Sequence, residues 1–356
     1  MTELGIYLHV PFCTMRCDYC AFVTYTGLDE LHQRYVDAAC AQLRADQARV
    51  GRAATSLYLG GGTPSKLTPT QVAQLVEAAT LVEGAEVSME CNPEDVTVER
   101  LEGYVSAGVT RCSFGIQSTA PHVLKSLGRR HGTGALSDVA HAAAQVGLTS
   151  WSIDLIYGAV GERPEDFDRC LDEVLSLELP PPHLSAYALT VEPGTPLAKT
   201  VALHPDDDVQ ADRYEVLTRR LTDADYEFEE ISNWSKPGHH CRHHRTYWSG
   251  GDYLGIGAGA HGHLDGHRFW NLADPQGYIT AIERGSSPIE GEEHLDPATR
   301  RFELASLMLR TSMGIPPSWL DADPVLDGLL EHHGERVLLS PRGRMLANVV
   351  AQHLVV

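Results

Sequence analysis

Residues 5–20 read GIYLHVPFCTMRCDYC, and this segment says more about the architecture than any other part of the chain. GIYLHV, rich in β-branched and aromatic residues, predicts a buried β-strand. Cys13, Cys17 and Cys20 lie within the ten positions that follow it. Active sites of strand–helix barrels form at the carboxyl ends of the strands, so we expect a functional loop here.

The three cysteines, at positions i, i+4 and i+7, predict a metal-binding loop. Three thiolates can hold three irons of a 4Fe-4S cluster, which normally takes four cysteines, so one iron is left for an outside ligand. A zinc site completed by His9, His32 or a remote cysteine is the main alternative, and three ordinary buried thiols are another.

Downstream of this loop the sequence alternates short apolar runs with helical stretches, mostly at intervals of about thirty residues, as parallel crossover units require. This pattern predicts the α/β class and a partial (β/α)6 TIM-like barrel. The predicted strands are GIYLHV (5–10), SLYLG (56–60), EVSME (86–90), RCSFGI (111–116), SWSIDLIY (150–157) and HLSAYAL (183–189).

Thr68, Pro69 and Gln71 predict a helix start between the second and third strands. Threonine suits the N-cap, proline the first turn, and glutamine the far end of a capping box. We expect this helix to cover residues 69–82.

The chain divides into three predicted regions. Residues 1–204 form the barrel core. Residues 205–296 extend the barrel and contain a segment rich in histidine, glycine and aromatic residues. Residues 297–356 form a small helical cap in which VLLSPRGRML predicts a strand, a turn and a helix. The barrel is therefore followed by a smaller C-terminal α+β region.

Composition restricts the class of protein. The 356 residues carry 48 acidic and 28 basic side chains, a formal charge of −20, which argues against a general nucleic-acid binder. No signal peptide and no apolar run of the ~20 residues that span a bilayer is found, so we expect a cytoplasmic protein with at most a peripheral membrane contact. In a reducing cytosol the remaining cysteines predict no disulfide framework: Cys40, Cys91, Cys112, Cys170 and Cys241.

The cysteine loop resembles that of the radical SAM superfamily, and within it the branch that contains coproporphyrinogen III dehydrogenase and the HemW haem chaperones. Further motifs resemble the same branch in the same order: YLGGGTPSKL (58–67), SMECNPEDV (88–96), GVTRCSFGIQS (108–118), LGRRHG (127–132), IDLIYG (153–158) and KPGHHCRHHRTYWSGGDYLGIGAGAHG (236–262). The resemblance implies a 4Fe-4S cluster whose open iron binds S-adenosylmethionine (SAM), together with reductive cleavage of SAM to a 5′-deoxyadenosyl radical.

The resemblance also implies a SAM site at the barrel mouth. It places Glu90 near the ammonium or ribose, Gln117 and Asp154 near the ribose, and Arg129 on the methionyl carboxylate. A buried ion pair between a carboxylate and arginine, or solvated charges, is the structural alternative. The implied residues are Tyr7, Tyr19, Gly61, Gly62, Thr63, Glu90, Gln117, Arg129, Asp154 and Ala188.

Two features separate the members of the branch. The dehydrogenase usually has a further cysteine two residues after the third, where this chain has Phe22, and a long segment before its first cysteine, where this chain has twelve residues. Both differences favour the HemW type. Ala21 departs from it, since the HemW loop usually has aspartate there.

The segment CRHHRTYW (241–248) resembles the HNxxYW motif of HemW, with His244 in place of asparagine. His243, His244, Tyr247 and Trp248 are therefore the candidate haem residues, since imidazoles can ligate haem iron and aromatic rings can pack against the macrocycle. Adventitious zinc binding or a solvated surface would also account for these histidines. His261, in GAGAHG, is another candidate ligand or a core residue.

The resemblance implies a radical SAM haem chaperone with haem as its cargo, haem-accepting proteins as partners and an electron donor. We expect it to lack coproporphyrinogen III oxidase activity. An oxygen-independent coproporphyrinogen III dehydrogenase and a HemN-like radical SAM methyltransferase are the alternatives.

Overall fold

The computed structural model describes residues 3–200 and 205–356 and confirms the α/β class. Within these ranges the strands form one twelve-stranded sheet and a separate two-stranded hairpin. The six predicted strands are all present, and each pairs in parallel with the next to give a partial barrel. They are β1 (Leu4–Val10), β2 (Ala54–Gly61), β3 (Leu81–Cys91), β4 (Arg111–Gln117), β5 (Trp151–Tyr157) and β6 (His183–Ala188).

Strands that the sequence did not predict extend the sheet at both edges. They are β7 (Glu227–Glu230), β8 (Asn233–Ser235), β9 (Asp252–Ile256), β10 (His261–Leu264), β11 (His267–Asn271) and β12 (Ile289–His294). β9 pairs in parallel with β1 and so lengthens the barrel wall, and β10, β11 and β12 follow it in antiparallel order. At the other edge β8 pairs antiparallel with β6, and β7 with β8.

Helices cover the outer face of the sheet and build the C-terminal region. In chain order they are α1 (His32–Val50), α2 (Pro69–Ala78), α3 (Val98–Ser106), α4 (Pro121–Ser126), α5 (Ala135–Gln145), α6 (Pro164–Leu175), α7 (Asp207–Asp223), α8 (Arg242–Trp248), α9 (Pro275–Glu283), α10 (Pro297–Leu309), α11 (Pro341–Met345) and α12 (Ala347–Ala351). No helix in the described ranges combines the length and apolar character needed to span a membrane.

Helix α2 begins as predicted but ends four residues early. Thr68 and Gln71 form the expected capping box. The predicted end at residue 82 is wrong, because buried Gln47 binds both backbone groups of Thr80, accepting from its N–H at 2.7 Å and donating to its carbonyl at 2.9 Å. With those groups taken, the chain leaves the helix and enters β3 at Leu81.

Side chains alternate along β1 between two different environments. Leu4, Ile6 and Leu8 are fully buried and belong to the main hydrophobic cluster beneath the helices. Tyr7 and His9 point into the barrel, where Tyr7 stacks near Tyr58 of β2. The barrel interior is therefore polar while its outer face carries the core.

Helix α8 closes the end of the barrel that lies opposite the cysteine loop. The His243 N–H donates to Glu86 of β3 at 3.2 Å. A Cβ added to Gly5, near the start of β1, would lie 3.2 Å from the His243 ring. The close packing of α8 under these strands leaves the carboxyl ends of the strands as the open mouth.

The loop between β9 and β10 is tied to the end of β1. The Tyr35 hydroxyl donates to the His9 carbonyl at 2.6 Å and accepts from the Ala258 N–H at 2.8 Å. Gly259 approaches the cysteine loop so closely that a Cβ there would lie 3.0 Å from Val23. The loop that leads into β10 is thus anchored beside the cysteine loop.

The C-terminal region packs around its own hydrophobic cluster, which includes Leu309 and Ile315. It contains the hairpin β13 (Leu330–His333) and β14 (Arg336–Leu339), and β14 leads through Ser340 into α11, as VLLSPRGRML predicted. The predicted boundary at residue 204 lies outside the described residues. The boundary at residue 296 stays a prediction.

Candidate functional site

The cysteine loop leaves β1 and is pinned to it by main-chain hydrogen bonds. The Cys13 N–H donates to the Tyr25 carbonyl at 2.9 Å, and the Tyr25 N–H donates to the Pro11 carbonyl at 2.7 Å. Inside the loop, the Cys20 N–H donates to the Cys17 carbonyl at 3.1 Å. These bonds fix both ends of the loop, so the three thiols are presented on one ordered segment.

The three thiols are free and half-buried at the barrel mouth. Thr63 donates its hydroxyl to the Cys13 sulfur at 3.4 Å, and Arg129 donates to the Cys17 sulfur at 3.7 Å. Burial raises the pKa of the Cys13 thiol and of the Cys20 thiol. A cationic metal cluster would hold them as thiolates, and the hydroxyl and guanidinium donors suit a thiolate as acceptor. This donor set fits an iron–sulfur cluster.

His9, one of the two histidines of the zinc alternative, has no free ring nitrogen. Both His9 ring nitrogens are engaged: Nε2 lies 2.8 Å from the Val23 carbonyl, so it must donate, and Nδ1 accepts from the Tyr7 hydroxyl at 2.9 Å. His32 packs against Phe12, with 4.3 Å between ring centroids. Within the described ranges, no three His, Cys, Asp or Glu side chains form a group that could hold a single metal ion.

A cavity of about 530 Å³ opens beside the cysteine loop, within the size range of small-molecule sites. It brings together residues from the ends of β2 to β6, as predicted for a site at the carboxyl ends of the strands. Tyr7 was also predicted for this site, but it lies one layer deeper in the barrel and does not line the cavity. The predicted residues that line the cavity are Cys13, Cys17, Tyr19, Cys20, Gly61, Gly62, Thr63, Glu90, Gln117, Arg129, Asp154 and Ala188.

The glycines that follow β2 are required by close approach. A Cβ at Gly61 would lie 2.5 Å from the His9 ring, and Gly61 has φ +114°. A Cβ at Gly62 would lie 2.9 Å from the carbonyl oxygens of Val10 and Phe12. Any larger residue would push this turn away from the cysteine loop, so the glycines keep the backbone next to the cavity.

Glu90 is a buried carboxylate held from two sides. The Tyr58 hydroxyl donates to Oε1 at 2.9 Å and the Gly61 N–H donates to Oε2 at 3.0 Å. Burial, with a smaller contribution from nearby Asp154, raises the pKa of Glu90 to about 7. A ligand ammonium would supply the positive charge that this carboxylate lacks, which agrees with its expected role.

Asp154 and Gln117 shape the far wall of the cavity. Asp154 accepts from the Ser113 hydroxyl at 2.8 and 2.9 Å, and burial raises its pKa. Gln117 has φ +64°, a left-handed backbone that is rare outside glycine, where the pairing of β4 and β5 changes register. Strain of this kind clusters at functional sites, and here the bulge places the Gln117 side chain at the cavity.

Arg129 is positioned by its neighbours but keeps one donor free. Its Nη2 donates to the Asn92 side chain at 3.0 Å and to the Gly115 carbonyl at 2.9 Å. Its Nε is buried and has no partner among the described residues. The Arg129 side chain lines the cavity, where its positive charge is suited to a ligand carboxylate.

Sequence reasoning missed the groups that hold these side chains in place. Asn92 fixes Arg129, Tyr58 fixes Glu90, and Ser113 fixes Asp154. Asn92 directly follows the carboxyl end of β3, which was the available signal, whereas Ser113 lies in the first half of β4. Tyr58 lies mid-strand, and its partner depends on the strand register.

The candidate haem segment lies at the closed end of the barrel, on α8. His243 is fully buried, with Nδ1 2.9 Å from the Ser56 hydroxyl and Nε2 2.6 Å from the Tyr247 hydroxyl, and burial lowers its pKa well below the usual range. His244 packs against Tyr58, and Trp248 is half-buried. Both His243 nitrogens are thus occupied, and a role as iron ligand would require breaking one of these bonds.

The partial barrel, the three-cysteine loop after its first strand and the adjacent cavity with its charged side chains define a radical SAM protein. The chain matches the family model of the radical SAM superfamily over residues 7–174. It is 40% identical to the heme chaperone HemW of Mycobacterium tuberculosis (strain ATCC 25618 / H37Rv), covering 98% of this chain and 94% of that one. The chain belongs to the HemW family.

Two further comparisons agree with this assignment. The heme chaperone HemW of Escherichia coli (strain K12) is 38% identical over 78% of this chain and 76% of its own. The structure of coproporphyrinogen III oxidase (HemN) from Escherichia coli has a TM-score of 0.82, with 22% identity over 99% of this chain and 89% of that one. At 22% identity, this similarity shows a shared fold and nothing more.

The family's cofactors are a 4Fe-4S cluster and SAM, and the residues at the barrel mouth fit both. Cys13, Cys17 and Cys20 would hold the cluster. Glu90 and Arg129 offer complementary charges to the ammonium and carboxylate of SAM. When bound, the cluster supplies an electron to SAM. The protein's own contribution is to orient the ligand with fixed donors and to surround it with buried groups.

Proposed function

We propose that this protein is a haem chaperone that binds haem and transfers it to other proteins, with a 4Fe-4S cluster and SAM at the barrel mouth. The observation that carries the proposal is 40% identity to a heme chaperone over nearly the full length of both chains. The three-cysteine loop and the complementary charges in the cavity support a working radical SAM site.

We further propose that the chain does not convert coproporphyrinogen III. Phe22 stands where the dehydrogenase usually has a further cysteine, and its side chain is 66% exposed at the edge of the cavity. An exposed phenyl ring there cannot act as a metal ligand or as a redox group. The HemN structure has the same fold, which by itself does not carry over its reaction.

The partners implied by this function are haem, haem-accepting proteins and a reductant for the cluster. A cytoplasmic location would suit a reduced cluster and free thiols. A peripheral contact with a membrane would bring the protein near membrane-bound acceptors. His243, His244, Tyr247 and Trp248 stay predictions for the haem-binding segment.

Haem titration of the anaerobically reconstituted protein tests the proposal. We expect a shifted Soret band that saturates with haem, and transfer of that haem to an apo-haemoprotein. Incubation with coproporphyrinogen III, SAM and a reductant should yield no vinyl product. Failure to bind haem, or vinyl formation at enzymatic rates, would refute it.

A further inference from the structure

A separate cavity of about 720 Å³ lies between the antiparallel extension of the sheet and helix α10. We call it the β-extension groove. Tyr253 of β9, His261 of β10 and Trp270 of β11 contribute to its floor, and Leu304 and Leu307 of α10 contribute to one wall. Its volume falls within the range of about 300–1,000 Å³ that holds organic cofactors. None of the SAM-site residues lines it.

His261 is the imidazole in this groove with available nitrogens. It is exposed, and neither ring nitrogen has a hydrogen-bond partner among the described residues. The neighbouring His263 is committed, because its Nδ1 lies 3.1 Å from the Gly251 carbonyl and its Nε2 accepts from the Gly266 N–H at 3.1 Å. An uncommitted imidazole on a fixed strand can ligate a metal ion.

Aromatic rings give the groove flat apolar surfaces. The His261 and Trp270 rings stack, with 5.7 Å between centroids and 23° between planes. A Cβ at Gly291 of β12 would lie 2.3 Å from Trp270, so this glycine leaves room for the indole to lie flat on the sheet. Tyr253 packs edge-on against Tyr247 at 4.6 Å. The indole thus fixes the orientation of the His261 ring, and Tyr253 adds an aromatic side chain to the groove lining.

Three arginines lie at the rim of the groove, and they differ in whether a carboxylate already pairs with them. Arg268 is held by Glu293 and Glu303, and Arg300 is paired with Asp265 at 3.0 Å. Arg301, which like Arg300 lies on α10, is exposed and has no ion-pair partner in the part of the chain that the structure describes. Arg301 is therefore the cation available to a ligand carboxylate.

We propose that haem binds in the β-extension groove, with His261 as a ligand of the iron, Trp270 stacked on that imidazole to orient it, Leu304 against the macrocycle, and Arg301 paired with a propionate. This inference rests on the proposed function and names its site. Tyr247, from the segment predicted for haem, reaches the same groove. His243 then acts indirectly by hydrogen-bonding the Tyr247 hydroxyl from beneath.

Haem titration of the reconstituted full chain tests the assignment. His261→Gly should change the Soret band and weaken haem binding by roughly tenfold or more, since losing even an outer-shell partner costs about 10–100-fold in metal affinity. Added imidazole should restore the wild-type spectrum, which a merely structural defect would not allow. His141→Gly, at an exposed position of α5, serves as the matched control and should bind haem normally.

Two variants test the rest of the groove. Leu304→Trp should fill it and lower haem affinity without changing cluster content or SAM binding. Arg301→Ala should leave the spectrum unchanged and weaken binding roughly two- to fivefold, as for a partly exposed ion pair. Melting temperatures of all variants identify any that fail to fold.

The outcomes separate this inference from the proposed function. If wild type binds haem, and His261→Gly and Leu304→Trp bind it with unchanged spectrum and affinity, the groove is not the site. Loss of the haem spectrum only in the double variant His243→Ala/His244→Ala would place the iron on α8 and overturn the inference alone. A wild-type protein that binds no haem would overturn both.

Discussion

Replacing Arg129 by Gln should weaken SAM binding while sparing the cluster. The Arg129 side chain lines the cavity, and Asn92 and Gly115 hold its Nη2 in place. A charge-assisted hydrogen bond from Arg129 to the SAM carboxylate contributes about 1.5–3 kcal/mol. At 1.4 kcal/mol per factor of ten, the dissociation constant should rise roughly 10- to 100-fold.

The assay is SAM titration of the reduced, reconstituted protein, followed by the change in the electron-paramagnetic-resonance spectrum of the cluster. Arg130→Gln is the control, because Arg130 is the exposed neighbour. Arg129→Lys should recover only part of the affinity, since lysine keeps the charge but lacks the planar fork of donors. Equal SAM affinity in wild type and Arg129→Gln, at equal iron content, would remove Arg129 from the carboxylate site.

Three further predictions concern the same end of the barrel. Wild type should bind about four iron and four sulfide per chain, and Cys17→Ala should lose the cluster; tetrahedral zinc in place of iron would contradict the assignment. SAM affinity should rise with pH through about 7, because burial raises the pKa of Glu90 to about 7 and the deprotonated carboxylate attracts the ammonium. SAM titrations across that pH range should show this rise in wild type and no such rise in Glu90→Gln. Gly62→Ala should lower the free energy of unfolding by about 1–3 kcal/mol, because the added Cβ would meet two carbonyl oxygens. Gly132→Ala, which has open space around it, should leave the stability nearly unchanged. Equal effects of the two variants in chemical denaturation would refute the close-approach argument.

The barrel was predictable because its signals are local. The strand of residues 5–10 was found from its composition, and the helix start at Thr68 from its cap. The end of α2 was not, because it depends on Gln47, which lies more than thirty residues away in sequence and binds the backbone of Thr80. Long-range contacts of this kind leave no mark in a local window of sequence.

The candidate site, like the fold, was predictable only where its signals are local. Residues at the carboxyl ends of strands were predicted together, since parallel strands bring those ends to one edge. The parallel pairing of β9 with β1 was not predicted, because β9 follows β1 by more than two hundred residues and carries no register signal. Without that pairing, the place of His261 in the β-extension groove could not be derived from GAGAHG alone.

The Tyr35 hydroxyl bridges the end of β1 and the loop that leads to His261, and Gly259 in that loop abuts Val23 of the cysteine loop. A short, packed path therefore connects the cysteine loop with the loop that leads to the proposed haem ligand. Thermodynamic linkage makes any such coupling reciprocal: the factor by which a bound cluster and SAM change haem affinity is the factor by which haem changes SAM affinity. Haem binding and SAM binding would then be coupled through the Tyr35 hydroxyl.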